Sequence, residues 1–303
     1  MIEEKKGILK GHLAALGAYT IFGFNILFSK DLATSSGLSP MGLFSCRALG
    51  AAALFWLVSI FMPKEKVDRK DFPAITLASL IGFIMVQIFF LIAIKQSTAV
   101  DAAIVGTLSP VFTMFFAAIF IKEPITLKKG CGVLISLVGI LAIILTSSQG
   151  SNGVEVTTTL GWIMLFLNAA CFAAYLGMFK PLIAKYNVVT FMKWVFLISS
   201  LLTLPFSIKE LVSFDFLGLS STMAFELAYL VVLATFFTYF LIPYSQKRIR
   251  PTLVSMYSYM QPIITAILGI AYGTDLLSLP KIIAILAVCL GVWMVNNSKS
   301  ANS

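Results

Sequence analysis

Polar side chains that could bind a small molecule interrupt otherwise apolar stretches of this 303-residue chain. They are amides, a hydroxyl and phenols: Asn25, Gln87, Ser109, Asn168, Tyr175, Tyr239, Tyr257 and Gln261. An unpaired amide in an apolar medium costs several kcal/mol, so these groups must face protein or water. We interpret the set as the lining of a substrate-binding cavity. Because it carries almost no charge, it suits zwitterionic or neutral amphiphilic metabolites better than highly anionic ones.

Two of the apolar stretches contain a proline and end in an acidic residue. They are TLSPVFTMFFAAIFIKE at 107–123, with Pro110 and Glu123, and YMQPIITAILGIAYGTD at 259–275, with Pro262 and Asp275. Proline within a helix removes a backbone donor and clashes with the carbonyl four residues earlier. The pattern predicts a kink near the middle of each helix, with freed carbonyls lining a wet cavity. Pro110 and Pro262 are therefore expected to have a gating or structural role.

Three charged side chains lie within or at the ends of apolar stretches, and each has two interpretations. Arg47 either pairs with a carbonyl or an acid near the outer mouth of the cavity, or attracts an anionic group of the substrate. Glu123 and Asp275 end their helices, where they either cap neighbouring helix N-termini or take part in proton coupling. We prefer the structural interpretation for all three.

The composition is that of a membrane protein. The chain is 59% hydrophobic and 12% charged, with a mean hydropathy of +0.97, whereas soluble domains carry about 25% charged residues. Apolar stretches long enough to cross a bilayer as helices recur along the chain. The cores of ten such stretches are 13–29, 41–62, 74–94, 99–121, 131–146, 160–179, 188–206, 223–243, 253–272 and 282–297. We predict an all-α integral membrane protein with ten transmembrane helices.

The net charge of +9 follows membrane topology. With the N-terminus inside the cell, sixteen lysines and arginines fall in predicted cytoplasmic segments and four in outer segments. This bias is typical of cytoplasmic loops, and it predicts that both termini are cytoplasmic. The basic residues therefore do not indicate a nucleic-acid partner.

The second half of the chain repeats features of the first at an offset of 152 residues. Four pairs share this offset: Lys95 and Lys247, Pro110 and Pro262, Glu123 and Asp275, and Gly139 and Gly291. The offset divides the chain into an N-terminal repeat, 1–150, and a C-terminal repeat, 151–303, with five predicted helices each. Since five is an odd number, the second repeat must insert upside down, an arrangement that recurs among transporters.

Small residues line one face of the fifth and tenth predicted helices. They are Gly132, Ser136 and Gly139 in the fifth helix and Ala284, Ala287 and Gly291 in the tenth. Such faces allow close helix packing, so these helices are expected to pack against each other or against a second protomer in a homodimer. The four cysteines form no CxxC pair, and we expect no disulfide, metal or cofactor.

Several of these motifs resemble the EamA-type members of the drug/metabolite transporter superfamily. Phe22 and Gly23 with Lys30 resemble the family's first helix, although tryptophan is frequent at the position of Phe22. Arg47 occupies the place of the family's arginine in the second helix. The stretches 89–140 and 244–275 resemble the family's core in each half, with Asp275 where glutamate is usual. The resemblance implies ten helices, cytoplasmic termini, a central cavity and movement of small metabolites, often outward.

We therefore expect a secondary transporter in the cytoplasmic (inner) membrane that exports small amphiphilic metabolites such as amino acids, related compounds or drugs. It would work by alternating access, with the metabolite and the lipid bilayer as its partners. The alternative is an intramembrane enzyme that acts on a lipid or sugar. Such chemistry usually needs clustered His, Asp or Glu residues or a metal, and no such cluster appears at membrane depth.

Overall fold

The computed structural model describes residues 2–97, 102, 105–147, 157–264 and 279–298, and most of these residues are helical, with no strand among them. We number the long helical segments in chain order. They are α1 Ile2–Ser35, α2 Pro40–Ile60, α3 Arg69–Ile94, α4 Ser109–Ile121, α5 Leu127–Ser147, α6 Thr159–Met178, α7 Val188–Ser213, α8 Ser221–Gln246, α9 Pro251–Met256 with its continuation to residue 264, and α10 Leu279–Asn296. A short helix, Lys180–Lys185, joins α6 to α7.

Each predicted apolar stretch overlaps one of these segments, although the start of the fourth and the end of the ninth lie outside the described residues. Within the described part of the chain, six helices are long and apolar enough to cross a membrane, namely α1, α2, α3, α6, α7 and α8. The protein is therefore an all-helical multi-pass membrane protein. Ten spans remain a prediction.

Several helices begin where the local sequence supplies a cap. Ser39 Oγ accepts a hydrogen bond of 3.0 Å from the Gly42 N–H at the start of α2. Thr158 and Ser220 do the same at the starts of α6 and α8. A side-chain oxygen at this position satisfies one of the free N–H groups of the first helical turn. These caps fix where the helices begin.

Two helices contain a π-helical segment, and both segments lie at the same place in their repeat. Leu80–Met85 in α3 and Val232–Phe237 in α8 are each six residues long and begin 152 residues apart. In α8, the hydroxyls of Thr235 and Thr238 donate to carbonyls five residues earlier, at 2.7 and 3.0 Å. A π segment perturbs the regular hydrogen-bond ladder and is frequent at functional sites.

Pro110 differs from the sequence-based expectation. It is the second residue of α4 and follows a turn at 107–108, so it starts a helix instead of kinking one at its middle. The missing N–H needs no partner in the first helical turn. Pro262 follows a 3-10 turn, Tyr257–Tyr259, within α9. Both prolines thus come directly after backbone that departs from the α-helix.

Gly132 and Ser136 of α5 pack directly against α10 beside Gly291, which is one of the two arrangements that the sequence predicts. Ser136 Oγ donates to the carbonyl of Val288 at 3.2 Å. A Cβ added to Gly132 would lie 2.7 Å from the Gly291 carbonyl oxygen, so the backbones approach too closely for a larger residue. Close approach of this kind is how membrane helices gain packing energy.

Candidate substrate-binding site

Gln87 and Tyr239 form a hydrogen bond at the centre of the helix bundle. Gln87 Nε2 donates to Tyr239 Oη at 3.2 Å, and both side chains are buried. Each residue lies two positions after a π segment, Gln87 in α3 and Tyr239 in α8. The bond therefore joins two residues that are equivalent under the 152-residue offset.

Phenylalanine rings surround Tyr239. The ring centroids of Phe83, Phe196 and Phe22 lie 5.0, 5.5 and 6.3 Å from that of Tyr239, all in edge-to-face geometry. Such contacts add to the energy of apolar burial. The phenol is thus surrounded by apolar rings on several sides, and Gln87 is its hydrogen-bond partner among the described residues.

Two predicted residues of α6 join this region. Asn168 Nδ2 donates to the Val86 carbonyl at 2.7 Å, at the end of the first π segment. The ring of Tyr175 packs on Gly82, where an added Cβ would lie 2.1 Å from the ring. Gln87, Asn168, Tyr175 and Tyr239, hereafter the central cluster, are thus half of the eight predicted binding residues.

The other predicted binding residues have different surroundings. Asn25 accepts a hydrogen bond from Ser29 on its own helix, and the Tyr257 hydroxyl is hydrogen-bonded to His12 at 2.9 Å. Ser109 is buried at the start of α4, and Gln261 is half-buried on α9. For all eight residues, a part in binding remains a prediction.

Arg47 on α2 is completely buried, with 0% of its side chain exposed. Its Nε donates to Thr235 Oγ1 at 2.9 Å, within the second π segment. Neither Nη1 nor Nη2 has a hydrogen-bond partner among the described residues. The sequence predicts a carbonyl or an acid as its partner, whereas the observed partner is a hydroxyl. Thr235 was not a candidate residue, because a threonine in an apolar helix gives no sign of its tertiary contact.

Glu123 forms a buried ion pair instead of the predicted helix cap. Lys122 has φ 55° and ends α4 in the left-handed conformation, and the Glu123 N–H then bonds to the Ala117 carbonyl at 3.1 Å, as in a Schellman motif. This turn directs the Glu123 carboxylate inward, 2.8 Å from Lys129 Nζ on α5. Asp275, the equivalent acid, lies outside the described residues.

Further cations lie near the Glu123–Lys129 pair. Lys180 donates to the Ile249 carbonyl at 3.3 Å, and burial lowers the pKa of its ammonium while the charge of Glu123 opposes that shift. The pKa of Arg250 is affected in the same two ways. Among the described residues, the Glu123 carboxylate pairs directly with Lys129 alone, and its charge favours the charged forms of Lys180 and Arg250 nearby.

The sequence did not identify Tyr19 or the neighbouring phenylalanine rings as candidate site residues. Tyr19 Oη is buried without a hydrogen-bond partner among the described residues, and its ring contacts Phe22 at 5.9 Å. Aromatic residues are frequent throughout this chain, with 26 phenylalanines, so no spacing distinguishes these from lipid-facing rings.

The described residues also outline a groove of about 570 Å³ between α5 and α10. Apolar side chains such as Leu134, Val138 and Ile283 line it, and it is separate from the central cluster. The expected midplane chamber therefore remains a prediction, as does a homodimer through this face.

Comparisons with known proteins agree with this architecture. A sequence model of the EamA-like transporter family matches residues 9–145 and again 159–297. An uncharacterized transporter of Archaeoglobus fulgidus is 23% identical over 278 residues, covering 92% of this chain and 96% of its own length. The uncharacterized inner membrane transporter YicL of Salmonella typhimurium is 25% identical over 292 residues, 95% of each chain.

One solved crystal structure superposes on 95% of this chain and 95% of its own with a TM-score of 0.71 at 16% identity, which shows a shared fold. The two family matches together cover most of the sequence. The chain therefore belongs to the EamA-like transporter family, and it is a membrane transporter.

Proposed function

We propose that this protein is a secondary transporter, not an enzyme, that exports small amphiphilic metabolites such as amino acids, related compounds or drugs by alternating access. In this proposal, ten spans form two inverted repeats, 1–150 and 151–303, around a midplane chamber. Both termini face the cytoplasm. The hydrogen bond between Gln87 and Tyr239 carries the proposal, because it joins equivalent positions of the two halves beside polar and aromatic side chains.

A residue that lies on a two-fold axis contacts its own equivalent in the other half. Among the described residues, two hydrogen bonds join residues 152 positions apart, Gln87 with Tyr239 and Ser136 with Val288. They involve different helix pairs, α3 with α8 and α5 with α10. Together with the two family matches, they support a pseudo-two-fold axis between the halves. Such an axis in the membrane plane is the basis of inverted-repeat transporters.

Both halves contain backbone that can change shape at matching positions. The π segments of α3 and α8 interrupt the regular helical ladder, and a break precedes Pro110 and Pro262. Segments of this kind can absorb hinge motions. Because the halves are equivalent, exchanging their conformations would open the chamber to the other side. The substrate must lower the barrier or leave the two end states close in free energy.

The chemistry of the central cluster supports an amphiphilic substrate. Amide and phenol groups offer hydrogen bonds, while the rings around Tyr239 offer apolar contact. A site with a few polar groups in an apolar wall is typical of small-molecule binding. Outward movement is what the family resemblance implies.

Transport is tested with purified protein in proteoliposomes, by counterflow and efflux of a metabolite panel with and without an imposed pH gradient. We expect net flux that Tyr239→Phe reduces while folding is retained, because this variant removes only the hydroxyl bonded to Gln87. Tyr244→Phe is the matched control on the same helix. Product formation without net flux would instead favour the intramembrane enzyme.

The inverted arrangement has its own test, in a background whose four native cysteines are replaced. Single cysteines are introduced at Lys66 and at Leu217, exposed residues of the α2–α3 and α7–α8 loops. These loops are equivalent in the two halves. An impermeant thiol reagent applied to intact cells should label Leu217→Cys and spare Lys66→Cys. Equal labelling of both would contradict the inversion.

A further inference from the structure

The guanidinium of Arg47 is a buried positive charge without a neighbouring acid among the described residues. The ion pairs of that part of the chain are Glu123 with Lys129 and Asp71 with Lys185, and neither includes Arg47. Burying a charge without a partner is costly, and proteins that keep such a charge usually use it. A group from outside the chain is therefore the natural counter-ion.

Among the described residues, a single hydrogen bond, from Nε, holds the guanidinium of Arg47. Its Nε donates to Thr235 Oγ1, while the hydroxyl of Thr235 itself donates to the Leu230 carbonyl. The threonine oxygen is thus oriented as an acceptor, and it fixes the guanidinium at Nε. The two terminal nitrogens, Nη1 and Nη2, are buried and have no hydrogen-bond partner in the described part of the chain. This pair is the fork that binds both oxygens of one carboxylate.

Arg47 lies on the same face of α2 as Phe44, which is linked to the central cluster through Phe83. Phe44, three residues earlier, packs on Phe83 with ring centroids 5.1 Å apart, and Phe83 in turn packs on Tyr239. Residues three apart on a helix share a face. Arg47 contacts Thr235, which precedes Tyr239 on α8 by four residues, about one helical turn. This contact places the charge of Arg47 beside the aromatic rings.

We propose that Arg47 binds the carboxylate of the substrate, with the apolar part of the substrate packed among Phe22, Phe83 and Phe196. This inference rests on the proposed transport function and narrows its substrates to compounds with one carboxylate and an apolar or aromatic body. A single buried cation balances a single negative charge. Substrates with several negative charges would leave the others uncompensated.

The test compares acids with their primary amides on the purified full-length protein in detergent. The probes are 3-phenylpropionate against 3-phenylpropanamide and L-phenylalanine against L-phenylalaninamide, with binding measured by thermal shift and by titration. The wild type should bind the acids and bind the amides at least about tenfold more weakly, because an amide lacks the charge that the guanidinium fork recognises. Equal binding of acid and amide would overturn the proposal.

Variants locate the effect. Arg47→Gln should abolish the preference for acids, and Arg47→Lys should retain part of it. Lys193→Gln is the charge-matched control: Lys193 lies over the Trp56 ring, and Trp56 is nine residues from Arg47, about 13 Å along α2. Undiminished acid binding by Arg47→Gln would refute the role of Arg47. If that variant does not fold, the comparison of acids and amides on the wild type decides alone.

Transport assays separate this inference from the broader function. If the same proteoliposomes carry neutral or cationic metabolites but no carboxylate, the protein is a transporter and the assignment of Arg47 is wrong. If carboxylates bind through Arg47 but no compound is moved, the carboxylate site stands and the proposed transport function fails.

Discussion

Arg47 and Lys129 are both completely buried cations, yet their surroundings are opposite. Lys129 lies near the start of α5, with the Glu123 carboxylate 2.8 Å away. Arg47 lies within α2, with one hydroxyl partner and two unpartnered nitrogens among the described residues. Within the described part of the chain, one charge is neutralised by a carboxylate and the other is not.

This difference separates architecture from binding. The Glu123 pair connects the end of α4 to the start of α5, where a fixed ion pair holds the turn between them. A fixed partner for Arg47 would occupy the same nitrogens that a substrate needs. A buried pair is worth little in net stability compared with apolar residues, but breaking it by removing one partner is costly. The two sites should therefore respond differently to substitution.

The largest effect is expected for Glu123→Gln, which leaves Lys129 buried without its counter-ion. We expect a loss of about 3–5 kcal/mol in the free energy of unfolding, measured by thermal unfolding in detergent. The double variant Glu123→Met with Lys129→Met removes both charges and should recover most of the loss. A single variant as stable as the wild type would show that the pair does not hold the helix ends.

Gly82→Ala tests whether packing, not pairing, organises the central region. An added Cβ would lie 2.1 Å from the Tyr175 ring, so the ring or the helix must shift, at about 1–3 kcal/mol. Gly130→Ala on α5 is the control, because nothing lies within 4 Å of its added Cβ. It should be neutral or stabilising by about 1 kcal/mol. Equal stabilities for the two variants would show that Tyr175 is loosely held.

The sequence predicted the helices well, because hydrophobic length alone decides where a chain can cross a bilayer. It also located the repeat through Pro110 and Pro262 and their terminal acids. The π segments were not predictable, because LIGFIM and VLATFF are ordinary apolar sequences. Contacts that accompany the altered backbone, such as that of Asn168 with the Val86 carbonyl, join residues far apart in the sequence.

The ion pair of Glu123 was not predictable for a related reason. Glu123 and Lys129 are six residues apart across a turn, and only the left-handed Lys122 brings their charges together. The opposite problem arose with Arg47, whose buried position the sequence suggested but whose partner it did not. Thr235 belongs to the other half of the chain, and no local pattern connects the two residues.

Arg47→Met should leave the stability unchanged or raise it by about 1–2 kcal/mol, because it removes a buried charge that no acid of the described residues compensates. Thermal unfolding without ligand is the measurement, beside Glu123→Gln under the same conditions. A loss as large as that of Glu123→Gln would mean that Arg47 holds the fold together, and the contrast between the two cations would disappear.

The smallest effect should come from Thr235→Val, which removes the acceptor of Arg47 Nε. We expect a loss of about 1 kcal/mol in stability together with weaker binding of 3-phenylpropionate, because the guanidinium then loses its fixed orientation. Thr238→Val is the matched control: its hydroxyl likewise donates to a carbonyl five residues earlier in the same region of α8. It should lower stability by a similar amount and leave carboxylate binding unchanged. Since both variants remove a hydroxyl bonded to the carbonyl five residues earlier, only the orientation of Arg47 can account for a difference in binding between them.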